Sequence, residues 1–247
     1  MTLTLQAALW GAAAGGALLL GALVGYYWRL PLRVSGAIMT FGVGVLVSAL
    51  AFDLMGEAFR RGGIVAASAG FVAGAALYAV ANAVLAAAGA RARKRSRRPA
   101  SAAAGTSLAI AIGSLLDGVP ESAAIGISLL DGEGVALVTV LAVFISNVPE
   151  GLSSAAGMRR AGQSARYVFS LWGAIALACS LAAAAGVAFI GGLGPAVAGA
   201  AVAFAAGAIL VMLIDTMIPE AFEELHGWSG PIAAFGFLIA FAASHTL

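Results

Sequence analysis

The chain has 247 residues, of which 62% are hydrophobic and only 10% charged, with a formal net charge of +2. Soluble domains carry about 25% charged residues, so this chain lacks the polar groups to cover a solvated surface, and an all-α integral membrane protein is expected. A sequence pI of about 9.0 does not point to nucleic acid, because the basic residues sit in short loops. The single cysteine, Cys179, leaves no disulfide framework and no cysteine-based metal motif.

A helix crossing a bilayer needs about 20 mostly apolar residues. Eight segments qualify: 3–27, 34–59, 64–89, 105–130, 134–157, 166–190, 195–222 and 229–246. No basic stretch precedes the first apolar run, so no cleaved signal peptide is expected. Gly11/Gly15 and Gly70/Gly74 have the small-xxx-small spacing that lets helices approach closely in lipid. The loops after spans one, three and five hold 11 of the 13 basic residues, and only Arg60 and Arg61 lie opposite. The positive-inside rule then puts both termini outside the cytoplasm, in a multi-pass protein of the plasma or inner membrane. The basic segment 90–104 becomes a cytoplasmic loop within one transmembrane domain, 1–247.

In spans two and seven, the stretches 41–59 and 204–222 align without gaps. Phe41 meets Phe204, Gly44 meets Gly207, and Glu57-Ala58-Phe59 meets Glu220-Ala221-Phe222, with Asp53 and Asp215 offset by one position. The two spans run in opposite directions. This predicts an inverted repeat in a 3+2+3 arrangement, spans one to three matching six to eight, with substrate bound near the midplane.

Spans four and five are the polar pair. Asp117 and Glu121 lie one turn apart on one helical face, with Ser114 and Ser128 extending the stripe; Ser146, Asn147, Glu150 and Ser154 form a second stripe. An ionised carboxylate at bilayer depth costs about 2.5–3.5 kcal/mol on insertion scales, so it normally faces a bundle interior, a partner or an ion path. Pro120 and Pro149 lack an N–H and free the carbonyls of Leu116 and Ile145. Carboxylate, carbonyl, amide and hydroxyl oxygens together suit a divalent cation. The metal-ligand candidates are therefore Asp117, Glu121, Ser146, Asn147 and Glu150. Asp53, Glu57, Asp215, Glu220, Glu223 and His226 mark candidate ways in and out, while Asn82 reads as a packing contact. No His-Glu-x-x-His or other common hydrolytic constellation is present, so an enzyme is not expected.

With these residues in hand, the chain resembles the ZIP (Zrt/Irt-like) family of divalent metal transporters. The likeness rests on eight spans, a variable loop after span three, Phe-x-x-Gly openings of spans two and seven, and two Pro-Glu motifs. The family's His-Asn-x-Pro-Glu-Gly stands here as Asp117-Gly-Val-Pro-Glu121-Ser122; its second motif stands as Ser146-Asn-Val-Pro-Glu150-Gly151. The resemblance implies that Glu121, Asn147 and Glu150 bind the transported metal (Zn²⁺, Mn²⁺ or Fe²⁺) in an adjacent two-metal site, with Asp117 in the histidine position. Gly118 supplies no side-chain ligand. Loss of imidazole favours harder cations over tight zinc binding. The alternative is a transport-inactive relative that senses metal or acts as a scaffold. Partners expected are the metal ion and the bilayer, with a homodimer as one candidate assembly.

Overall fold

The structure, a computed structural model, describes residues 1–28, 31–87, 104–131 and 133–246. Every regular element among them is helical: α1 (Leu3–Tyr27), α2 (Leu32–Ser48), α3 (Met55–Leu85), α4 (Ala104–Ser128), α5 (Glu133–Arg160), α6 (Ala165–Ala185), α7 (Pro195–Met212), α8 (Ile218–Leu225) and α9 (Ser229–Thr246). A chain this rich in Ala and Leu has high helix propensity, and in an apolar medium a helix satisfies its own backbone. Thr2 caps α1 by accepting from the Leu5 amide, and Ser164 caps α6 by accepting from Tyr167. Five stretches among the described residues are long and apolar enough to cross a membrane: Leu3–Tyr27, Leu32–Leu85, Ala165–Ile190, Pro195–Glu223 and Ser229–Thr246. The first turns of α4 and α5 have no described side chains, and these two helices are not in that set. Most of the loop 90–104 lies outside the described residues.

Leu32–Leu85 is not one straight rod. Gly63 has φ 67° and ψ −178°, a conformation open to glycine and strained for other residues. Gly199 of α7 lies against Ala58 and Gly62, whereas its neighbour Ala200 already lies against Gly70. Eight residues of straight helix would advance about 12 Å, yet the contact moves by a single residue on α7. The chain therefore doubles back at Gly63, and the loop predicted at 60–63 shrinks to one residue.

Three segments are wound as π-helix: Ala49–Leu54, Gly186–Ile190 and Leu213–Met217. Two of them carry Asp53 and Asp215. Ala49–Leu54 carries α2 into the start of α3 and Leu213–Met217 carries α7 into α8 without a break, while Gly186–Ile190 ends the α6 rod. A π turn holds an extra residue, and such turns cluster at functional sites.

Helix contacts recur in matched pairs. A Cβ placed on Gly74 would meet the Phe204 carbonyl oxygen at 1.9 Å, and one on Gly236 would meet the Phe41 oxygen at 2.3 Å. A Cβ on Gly44 would strike the oxygen of Ala233 at 1.9 Å, and one on Gly207 that of Phe71 at 2.1 Å. Since Phe41 aligns with Phe204 and Gly44 with Gly207, α3 sits on α7 as α9 sits on α2. The central helices repeat the pattern: Gly151 of α5 abuts Leu18 of α1, and Gly126 of α4 abuts Ala183 of α6. The Gly11/Gly15 and Gly70/Gly74 spacings both fall on such close interfaces, facing α6 and α7.

Overpacking a close helix contact costs about 1–3 kcal/mol or more. Gly74→Val should therefore lower the thermal midpoint in detergent by several degrees. Gly16→Val, where an added Cβ meets nothing within 4 Å, should leave it nearly unchanged. Equal effects would show that backbone proximity does not set the α3–α7 packing.

Candidate metal centre

Four acidic residues of the bundle are buried, and neighbouring helices supply donors to most of them. Glu57, Asp117, Glu121 and Glu220 are 2%, 4%, 2% and 6% exposed. At one end Ser128 Oγ of α4 donates to Glu57 Oε2 at 2.7 Å, and Arg61 Nε donates to Oε1 at 3.0 Å. At the other end Ser153 Oγ of α5 donates to Glu220 Oε1 at 2.6 Å. The aspartates on the π turns behave alike: Ser244 of α9 donates to Asp53, and Asn82 of α3 donates to Asp215 at 2.8 Å. Each of these carboxylate contacts has a counterpart in the helix that aligns with its own. Asn82, expected as a packing contact, is instead the donor that holds Asp215.

Between the two ends lie the predicted ligands. Asp117 accepts from the buried Tyr78 hydroxyl of α3 at 2.5 Å. The position matching Tyr78 in α9 is Ala240, and it packs in one apolar cluster with Ala142 of α5; this polar contact has no twin. Asn147 donates its amide to the Ala14 carbonyl of α1 at 3.0 Å, and Ser146 Oγ donates to the Val143 carbonyl of its own helix at 2.9 Å. Glu121 and Glu150 both lie within electrostatic reach of the Cys179 thiol of α6, which is hydrogen bonded to Ser122. A Cβ on Gly118 would come within 2.9 Å of Cys179 Sγ, so the thiol fills the room a side chain there would need. The helices run through Pro120 and Pro149 without interruption.

Glu150 also lines a cleft of about 270 Å³, including its open mouth, together with Met39, Ser153, Ser154, Thr216, Met217 and Glu220. Ser154 Oγ is buried there with no hydrogen-bond partner among the described residues. This brings Glu150 of the central stripe and Glu220 of the predicted way out onto one cavity wall. Among the described residues no three His, Cys, Asp or Glu side chains form a ready-made metal cage. Asp117, one turn from Glu121 on α4, is held by Tyr78. Glu223 is partly buried, and the side chain of His226 lies outside the described set.

Sequence reasoning passes over Tyr78, Ser153, Thr216 and Ser244, hydroxyls with no motif around them to mark a role. Their one signal is that each lies where its helix faces an acid of a neighbour. No protein-family model matches the chain, and no curated protein matches it in sequence.

A buried donor–carboxylate pair in contact should show a coupling energy of about 0.5–3 kcal/mol. A double-mutant cycle on thermal stability over Tyr78→Phe and Asp117→Ala should fall in that range. Additive effects would mean that Tyr78 does not hold Asp117.

Proposed function

We propose that the protein is an integral membrane transporter of divalent metal cations, resembling the ZIP family, and that it moves ions rather than catalysing a reaction. In this reading the chain crosses the membrane eight times, folding back at Gly63, with both termini outside the cytoplasm of a plasma or inner membrane. The matched contacts support an inverted repeat in which α1–α3 and α6–α9 are the two copies and α4 and α5 the central pair. The Glu57 end then faces outward and the Glu220 end faces the cytoplasm.

One observation carries the reading. Carboxylate–serine pairs sit at opposite ends, Glu57–Ser128 and Glu220–Ser153, with the buried Glu121 and the cleft-lining Glu150 between them. Along α4, Ser128 and Glu121 are separated by about 10 Å of helix, a short step for an ion. Glu121 and Glu150 would supply charge at the midpoint. The Ser154 hydroxyl would add a neutral oxygen, and Asp117 would join by leaving Tyr78. An oxygen set of this kind prefers Mn²⁺ or Fe²⁺ to tight zinc binding. Metal must displace protons from such a site, so uptake should fall as pH is lowered.

The absence of a ready-made cage favours a second reading, a relative that senses metal without moving it. Uptake into proteoliposomes across Mn²⁺, Fe²⁺, Zn²⁺ and Mg²⁺ separates the two. Transport predicts saturable uptake of at least one transition metal. Glu121→Ala and Glu150→Ala should each lower it by tenfold or more, on the order of losses seen when metal-site residues are removed. Asp117→His should move the preference toward Zn²⁺. Metal-dependent thermal stabilisation without uptake would leave the sensing relative standing.

A further inference from the structure

The two carboxylate–serine ends match in all but one respect. At the Glu57 end the oxygens already hold a cation belonging to the protein. Arg61 lies one turn beyond Glu57, donates through Nε to Glu57 Oε1 at 3.0 Å, and donates through its terminal NH2 to the Ile127 carbonyl of α4 at 3.0 Å. The ion pair is almost dry, with the Arg61 side chain 10% and the Glu57 side chain 1% exposed. One guanidinium thus ties the end of one copy to the end of the central helix through a carboxylate and a carbonyl. At the Glu220 end the matching position is Glu224, and Glu223 precedes it where Arg60 precedes Arg61. There the corresponding Glu220–Ser153 pair borders the 270 Å³ cleft. The carboxylate at the arginine end is held in a nearly dry ion pair, whereas the carboxylate at the other end lines the cleft.

We infer that Glu57, the Ile127 carbonyl and Ser128 form a cation site whose resident in this conformation is the Arg61 guanidinium, and that a divalent cation arriving from this end opens the passage by displacing it. Arg61 is a tethered competitor: it carries a single charge, it cannot leave with the ion, and it returns once the ion has moved on toward Glu121. While it is seated, the buried carboxylate is neutralised and the two helix ends are clamped. When it swings out, Glu57 and the Ile127 oxygen are left for a doubly charged guest. The divalent nature of that guest rests on the transport reading above; the closing action of Arg61 does not.

The test uses thiol accessibility and needs no transport. Cys179 is the chain's single cysteine and is fully buried, so it contributes little background. Ala124, 1% exposed and one turn inside Ser128 in the same packed cluster as Leu54 and Ala58, is changed to Cys as reporter. A membrane-impermeant maleimide is applied to right-side-out and inside-out vesicles. Arg61→Gln and, separately, Glu57→Gln should each raise labelling from the Glu57 side about tenfold or more, as loss of a clamp shifts a closed–open equilibrium. Labelling from the other side should not change, and Arg61→Lys, which keeps the charge, should restore part of the slow rate. Unchanged labelling in both variants, or a rise from both sides alike, would overturn the gate. Mn²⁺ added to Ala124→Cys/Arg61→Gln should slow the reagent. Fast labelling that no divalent cation slows would overturn the cation site. Absence of metal uptake by the unmodified protein would sink the transport reading and leave the labelling result intact.

Discussion

A carboxylate withdrawn from water needs a donor within reach of its oxygens, and that need shapes the interior of this bundle. Glu57, Asp117 and Glu220 each accept from a hydroxyl on a different helix, and Asp53 and Asp215 are held by Ser244 and Asn82 in the same manner. A hydrogen bond to a charged group returns about 1.5–3 kcal/mol, while placing the charge at bilayer depth costs about 2.5–3.5 kcal/mol. The two nearly cancel. Apolar side chains of similar volume would hold the same helices together as well or better. Stability therefore gives little reason for so many acids along α3, α4, α5, α8 and the π segments at 49–54 and 213–217, and titratable groups placed inside a fold cluster where ions or protons are handled.

The donors can reach only because the helices lie unusually close. Backbone-to-backbone packing at Gly74 and Gly207, and at Gly44 and Gly236, joins the same helix pairs that carry the Asn82–Asp215 and Ser244–Asp53 contacts. Larger residues at those contacts would spread the helices and strand the acids. The matched pairs act as an internal control, because similar sequences meeting similar partners should make similar contacts. Departures from the match are then informative. Tyr78–Asp117 replaces an alanine pair, and Arg61 stands where the other copy has Glu224. Both changes put a polar restraint on one half of the molecule only, which makes its two ends inequivalent.

Much of the architecture was legible in the chain because long apolar runs admit few alternatives. The helix limits fall within about three residues of those expected from hydropathy, and the likeness of 41–59 to 204–222 foreshadowed the matched contacts. Other features left no such trace. Gly63 is one glycine among 33, and nothing local says that it reverses the chain while Gly62 continues a helix. Ser153 and Ser244 look ordinary in helices made of Ala, Gly and Leu, since a hydroxyl acquires meaning from what lies across the interface. The expectation that Asp117, Glu121 and Glu150 share one pocket came from helical spacing. Spacing sets the face of a helix but not what meets it from across the interface, and the Tyr78 hydroxyl on Asp117 has no signal in α4 itself.

Gly118 and Cys179 show how the polar stripe of α4 is tied to its surroundings. Beside the ZIP pattern, Gly118 looks like the plain loss of a ligand. The packing gives it a steric cause: the Cys179 thiol occupies the volume a side chain at 118 would fill, at 2.9 Å from where its Cβ would stand, and the same sulfur lies within electrostatic reach of Glu121 and Glu150. Restoring an asparagine at 118 alone would drive it into that sulfur, in a region where α1, α4 and α6 already touch. The two positions are thus coupled by volume, and a side chain at 118 requires the Cys179 thiol to turn away or shrink. The lack of a side chain at 118 thus belongs to the packing of α4 on α6 rather than to one residue alone.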